Sequence, residues 1–341
     1  MQNVIALNED TVLKYDSRVK FQINKNCVED YLSAAQYVNS SSIDLVSVQH
    51  EFGLYGGTGG EFILHFFKKV KKPLIVTLHA VSNSFNPELE RVFASLIEYC
   101  QSFVVMSRRA REILEDYGVS RKNIKIIRHG CPDLPFIESD AVKPSLGLGN
   151  DAIIISTFGL MNHYKGIEYV ICALPALIEQ NSKLIYLIIG ETHPYVQKSK
   201  GEVYREELTE LVNRLNLEKH VKFVNKYLSK SELLNYLQAS DIYITPYISP
   251  NHASSGALAY AMGAGKAIIS TPYMYAKEML SNGRGLFCKF MDSASIVSTV
   301  GTLLDQKVIR KYEKSAYQYS RRFTWPNVAK HYISLFKHYV A

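Results

Sequence analysis

The chain has 341 residues, 47% hydrophobic and 21% charged, which is ordinary globular composition and long enough for two domains with full cores. No window approaches the roughly 18 to 20 uninterrupted apolar residues of a membrane span, and the first residues lack the basic-then-apolar layout of a signal peptide. Five widely spaced cysteines (Cys27, Cys100, Cys131, Cys172, Cys288) without a Cys-x-x-Cys pair indicate neither a disulfide framework nor a zinc site, and the net charge of +7 permits attraction to phosphate groups or an anionic membrane without selecting either.

In chain order, short β-branched runs alternate with longer amphipathic stretches. Strands are expected at 4–7 (VIAL), 19–23 (VKFQI), 45–49 (LVSVQ), 74–79 (LIVTLH), 102–107 (SFVVMS) and 124–129 (IKIIRH). A helix is expected over 59–71, where Phe62, Ile63, Phe66, Phe67 and Val70 repeat at helical spacing. It ends in KKVKK (68–72), a solvated helix end whose cations offset the dipole; a membrane-facing patch is the alternative. Glycine and prolines in HGCPDLPF (129–136) interrupt both periods and mark a domain boundary. The pattern then restarts, with strands expected at 152–159, 184–190, 221–224, 241–247, 266–272 and 285–288. Such alternation implies parallel sheets covered by helices on both faces, and two successive sets imply two such α/β domains. From Thr324, a good N-cap, Trp325, Val328, Ala329, Tyr332, Leu335 and Phe336 fall on one stripe of a closing amphipathic helix.

Ligands of doubly wound domains bind beyond the carboxyl ends of the strands. Three loops there carry chemistry. STFGLMNHYKG (156–166) runs through Gly159 to Lys165-Gly166, IIGETHP (188–194) ends a strand with Gly190 and Glu191, and TPYISPNHASSG (245–256) leads small residues into a helix. Together they could surround a phosphorylated ligand, with Lys165 supplying a charge and an uncapped helix near 254 supplying N–H donors and its positive dipole end. The plainer alternative is that Lys165 is a solvated lysine at a helix start.

The segments FGLMNHYKGIEYVICALPAL, IIGETHP, ASDIYITPY, SGALAYAMGAGKAIISTP and FTWPNVAKHYISLF resemble retaining glycosyltransferases of family 4 with the GT-B fold. The likeness is greatest to the bacterial mannosyltransferase-like branch, which shares the VQHEFG and THP patterns, and it covers about residues 40–341. It implies two Rossmann-like doubly wound domains facing across a cleft: an N-terminal acceptor domain (1–133), a nucleotide-sugar domain (134–322) and a last helix (323–341) crossing back to the first. It further implies that Gly159, Gly190, Glu191, His252, Ser254, Ser255, Gly256 and Tyr260 line the donor site, with loop amides on the distal phosphate and sugar. Most relatives have two glutamates, eight positions apart, where this chain has His252 and Tyr260, and many have Arg where it has Leu160, which leaves Lys165 as the main matched cation. On the first domain, His79 and the pair His50-Glu51 end consecutive strands and are expected to face the cleft, His79 touching donor sugar or acceptor and Glu51 orienting the acceptor hydroxyl.

The expected activity is retaining transfer of a hexose, mannose among the candidates, from a UDP- or GDP-linked donor to a saccharide or glycolipid acceptor in cell-surface polysaccharide synthesis. No cofactor or metal is expected, since the sequence has no Asp-x-Asp. The missing acidic pair motivates an alternative, a catalytically silent GT-B subunit that binds sugar or a partner protein. The basic residues are spread and lack a stacking-rich motif, so no nucleic acid is expected. The expected location is the cytoplasm, with peripheral contact at the inner face of a membrane serving a lipid-linked acceptor. At the start of the chain, Asn8, Glu9 and Asp10 follow the first strand and no glycine precedes Gly53. Acidic residues and Cβ atoms there would repel a diphosphate. Met1 is therefore expected to fall after the family's first β/α unit, leaving YGGTGG (55–60) as either a phosphate loop or a flexible lead into the next helix.

Overall fold

The computed structural model describes residues 2–9 and 13–340. Its contacts divide the chain into two compact units, residues 1–128 with 329–341, and residues 129–328.

In the first unit, β1 (Val4–Asn8) and β2 (Val19–Asn24) pair in parallel as a sheet of their own. A second parallel sheet takes β3 (Val46–His50), β4 (Leu74–Leu78), β5 (Ser102–Val105) and β6 (Ile124–Ile126) in that order. All five residues of β4 are buried, as a continuous apolar run between two covered faces should be. No helix joins β1 to β2 among the described residues, and Asp10, named above as a phosphate-repelling residue, lies outside them.

The helix expected over 59–71 is shorter, Ile63–Lys69. Gly59 and Gly60, at φ +65° and +87°, hold a left-handed turn that cannot run on into a right-handed helix, and Val70 is already extended. Within YGGTGG, Gly56 is closely packed: a Cβ on it would stand 1.8 Å from the Lys25 carbonyl oxygen, and its amide donates to the Tyr31 hydroxyl at 3.2 Å. The glycine is needed for a tight joint. The closing helix runs Trp325–Val340, with Val328 N–H bonded to the Thr324 carbonyl at 2.9 Å. Val328 and Leu335 of its stripe are buried, whereas Trp325 is 41% exposed. From Ala329 onward the helix belongs to the first unit, where the Tyr332 hydroxyl lies 2.9 Å from Thr77 Oγ1.

The second unit holds one six-stranded parallel sheet built from β7 (Ile153–Phe158), β8 (Leu184–Ile189), β9 (Val221–Val224), β10 (Ile242–Thr245), β11 (Ala267–Ser270) and β12 (Leu286–Phe287). Their spatial order is β9-β8-β7-β10-β11-β12. Alternate residues feed different cores: Ile153 and Ile155 join one cluster with Tyr186 and Ile188, while Ile154 joins another with Leu187 and Ile189. That is the period-two signature of a strand buried on both faces. The order reverses between β7 and β10, and in open α/β sheets the crevice beyond that switch point is where ligands bind. No helix among the described residues is long and apolar enough to cross a membrane.

Candidate active site

At the switch point the chain leaves β7 through Gly159 and β8 through Gly190, at φ +133° and +127°. A Cβ on Gly190 would lie 2.3 Å from the Gly159 carbonyl oxygen, so the two strand ends sit against each other only as glycines. Their amides extend the ladder, Gly159 N–H to Ile189 and Gly190 N–H to Val224, both at 3.0 Å. What the glycines offer a ligand is thus close approach, not free donors. Arg205 buttresses the second loop, donating to Gly190 O at 3.2 Å and to Glu202 at 2.9 Å. Glu191 accepts from the Tyr227 amide at 2.8 Å, tying the β8 loop to the β9 loop.

After Gly159 a single helical turn, His163–Lys165, opened by the Asn162 side chain on the Tyr164 amide, brings Lys165 back over the strand end. Its ammonium stands 3.3 Å from where a Cβ on Gly159 would be, so glycine there also makes room for the lysine. With Gly159 and Met161 it lines a shallow, closely packed crevice at the end of β7. The ammonium donates to the Tyr247 hydroxyl at 3.0 Å and lies 4.4 Å from the centre of that ring. Among the described residues no carboxylate is within ion-pair distance of it.

The loop after β10 folds against Tyr247. His252 packs on the Tyr247 and Tyr273 rings, with centroids 5.1 and 5.8 Å away. Its backbone carbonyl is held by the Tyr275 amide at 3.0 Å, and its Nε2 is buried without a partner among the described residues. Burial first, and then the charge of Lys165, pushes its pKa down to about 4, so the ring is neutral at physiological pH. The helix beyond, Gly256–Gly263, is capped after all: the Ser255 hydroxyl accepts from the Leu258 amide at 3.2 Å. That satisfies one first-turn donor and leaves the amides of Gly256 and Ala257 without a backbone partner among the described residues. A Cβ on Gly256 would lie 2.9 Å from His129 Nε2, so His129 stands over this helix start. Tyr260, one turn on, accepts from Trp325 Nε1 at 3.4 Å. Leu160 is exposed in the β7 loop, and Ser254 is half-buried.

In the first unit His79 directly follows β4. Its Nε2 pairs with Gln49 Oε1 at 2.9 Å, and Gln49 in turn donates to Thr77 at 3.4 Å. Burial lowers the His79 pKa. Glu51 is exposed just past β3. His50, expected at a strand end open to a ligand, is instead fully buried inside the first unit, stacked on Tyr55 and edge-on to Phe52. It alternates with Gln49, and in a strand the residue beside an outward-facing one points inward. Sequence reasoning missed Tyr247 and His129 as site neighbours. The only local signal was their place, each the first polar aromatic past a strand end.

Among the described residues no group of three or more His, Cys, Asp or Glu side chains is placed to hold a metal ion. Comparison with known proteins gives the chemistry a context. Residues 138–323 match the family described as glycosyl transferases group 1. An uncharacterized glycosyltransferase of Methanocaldococcus jannaschii is 23% identical over 72% of this chain and 62% of its own. Mannosylfructose-phosphate synthase of Agrobacterium fabrum is 25% identical over 72% of this chain and 55% of its own. The chain thus spans under two thirds of the length of both relatives. Among solved structures, HepE of Anabaena in complex with UDP superposes with a TM-score of 0.74 at 17% identity, over 91% of this chain and 82% of that one.

Proposed function

The chain belongs to the glycosyl transferases group 1 family, and from that premise we propose that it is a GT-B enzyme moving a hexose from a nucleotide-sugar to a saccharide or glycolipid acceptor with retention of configuration. The observation that carries this reading is the Lys165 ammonium, held at the switch point by Tyr247 near neutral His252, with no ion-pair partner among the described residues. Breaking a sugar–phosphate bond builds negative charge on the departing diphosphate, and a preorganised cation with bare amides stabilises that charge where it develops. Lys165 and the amides of Gly256 and Ala257 take this part. The acceptor oxygen bonds to the anomeric carbon from the face the phosphate leaves, and its proton passes to a phosphate oxygen. Ser254, Ser255 and neutral His252 contact the sugar and its phosphate, Tyr260 flanks the ribose, Gly159 and Gly190 admit the nucleotide, and Glu191 shapes its loop. His79 and Glu51 act toward the acceptor.

The finer reading is a member of retaining family 4, of the mannosyltransferase-like branch, supported by the VQHEFG and THP patterns and by the likeness to mannosylfructose-phosphate synthase. A UDP-linked donor is supported by the UDP bound to HepE, with GDP kept as the alternative. A metal-free reaction is supported by the absence of Asp-x-Asp. A cytoplasmic role in surface polysaccharide synthesis, with a lipid-linked acceptor met at the inner face of the membrane, follows from the same resemblance.

A thermal-shift panel of UDP-, GDP- and ADP-sugars tests the donor site, because a ligand at one hundred times its dissociation constant stabilises by about 2.7 kcal/mol. A shift with one nucleotide class supports the reading. No shift with any of them sinks it and leaves the binding-subunit alternative, which the replacement of both acidic positions by His252 and Tyr260 favours.

A further inference from the structure

Tyr247 is one residue beyond Pro246 at the end of β10, and its side chain is almost wholly buried, 5% exposed. Everything around it is fixed. Its ring stacks on Tyr273 at 5.1 Å with planes 21° apart, and its carbonyl accepts from Thr271 Oγ1 at 2.6 Å. The neighbouring backbone is equally constrained: a Cβ on Gly166 would stand 2.2 Å from the Pro246 carbonyl oxygen, and the Ile248 amide donates to Tyr164 O at 3.2 Å. The β10 loop and the turn carrying Lys165 are therefore one packed body, with the tyrosine as its rigid part.

Lys165 meets this ring in two ways, an Nζ–H donated to the hydroxyl and a cation set 4.4 Å from the ring centre. A lysine side chain is long and loses considerable rotamer freedom when ordered. A carboxylate would order it but cancel its charge. A tyrosine orders it and leaves the charge intact, because both contacts are to a neutral group. We propose that Tyr247 is a positioning residue that holds the Lys165 ammonium in place for the diphosphate of the donor, so that the ordering is complete before the ligand arrives. This rests on the reading of Lys165 as the cation of that site.

The test is a double-mutant cycle read by titration calorimetry with UDP and UMP on wild type, Tyr247→Phe, Lys165→Ala and the double variant. Tyr247→Phe keeps the buried ring and removes only the hydroxyl, and unchanged melting confirms that it folds. UDP affinity is expected to fall roughly three- to tenfold in Tyr247→Phe, the range of a single hydrogen bond. The same change made in the Lys165→Ala background should alter it by less than about 1.5-fold, since the effect runs through the lysine. UMP affinity should barely move, which general loosening of the loop would not produce. An equal loss in both backgrounds, or an equal loss for UDP and UMP, overturns the positioning role. Lys165→Ala weakening UDP while Tyr247→Phe does nothing overturns this inference alone. UDP binding unaffected by Lys165→Ala overturns both it and the reading of the site.

Discussion

The two ends of the second unit's sheet treat buried charge in opposite ways. At the amino end, Asp241 precedes β10 and accepts from the Ile154 amide at 2.7 Å, from the Ser139 hydroxyl and from Lys143, whose ammonium is 2% exposed and 3.0 Å away. Lys143 also reaches Ala152 O at 2.8 Å and Asp140 at 2.7 Å. Lys266, before β11, is fully buried on Gln238 O at 2.9 Å; burial pulls its pKa down to about 8 while Glu313 and Asp241 work against that, so it stays charged at neutral pH. Every cation there has a nearby acid. At the carboxyl end Lys165 has a tyrosine and a neutral histidine. A charge that only clamps the fold is compensated within the fold, while one left to neutral partners is available to something that arrives from solution.

The comparison breaks most visibly at Asp241. Asp241→Ala removes the buried one of Lys143's two carboxylates, leaves the Ser139 hydroxyl and the Ile154 amide without their acceptor, and should cost about 3 to 5 kcal/mol, seen as a large drop in the urea midpoint. UDP affinity of the folded protein should stay within about twofold. A small stability loss would mean the amino-end charges are as weakly coupled as surface pairs. Lys165→Ala should do the reverse: transfer falls by on the order of 3 kcal/mol, roughly a hundredfold, with the melting midpoint nearly unchanged because no carboxylate is orphaned. Activity within about threefold of wild type would remove Lys165 from the mechanism.

Acid sharpens the contrast. His252 has a folded pKa of about 4 against an ordinary 6.5, so the unfolded chain takes up the proton first. Its contribution to stability is therefore complete above about pH 6.5, shrinks as the pH falls through that window and is gone at about pH 4. Wild type should lose about 2 kcal/mol more than His252→Gln between pH 7.5 and 4.5, after allowance for partial exposure. Parallel stability curves for the two proteins would show an imidazole that titrates normally. The smallest effect is expected from His252→Ala on the donor, about 0.5 to 1.5 kcal/mol in KM or in sugar preference, the scale of one hydrogen bond. EDTA should leave the rate unchanged in the same assay, and inhibition reversed by a divalent ion would contradict the metal-free proposal.

Much of this architecture was legible because a strand buried on both faces writes itself as a short apolar run. Leu74–Leu78, buried throughout, lies in such a run, the edge strand Val221–Val224 has the expected bounds although Lys222 is exposed, and the other strands differ from expectation by a few residues at their ends. The separate β1–β2 sheet was not legible, since pairing partners are set by contacts distant in sequence. The helix at Ile63 was misplaced because apolar spacing says nothing of the left-handed glycines before it. Gly159, Lys165 and the small residues before Gly256 do stand at the ends of β7 and β10, and their types had suggested as much. The Ser255 cap was not foreseen. The cradle around Lys165 was out of reach, because Tyr247 is 82 positions away and nothing local ties the two.

The split of the chain at Val328 has a consequence for the order in which the protein is made. The first unit takes residues from both ends of the sequence, so a growing chain can hold 2–128 and all of 129–328 before the segment that carries Tyr332 and Leu335 exists. Until then Thr77 has no phenol to bond and the site of the buried Leu335 stands open. The second unit is contiguous and can fold as it emerges, whereas the first must wait, partly uncovered, for the segment that begins at Ala329. A stop codon after Val328 would thus injure the unit that was synthesised first.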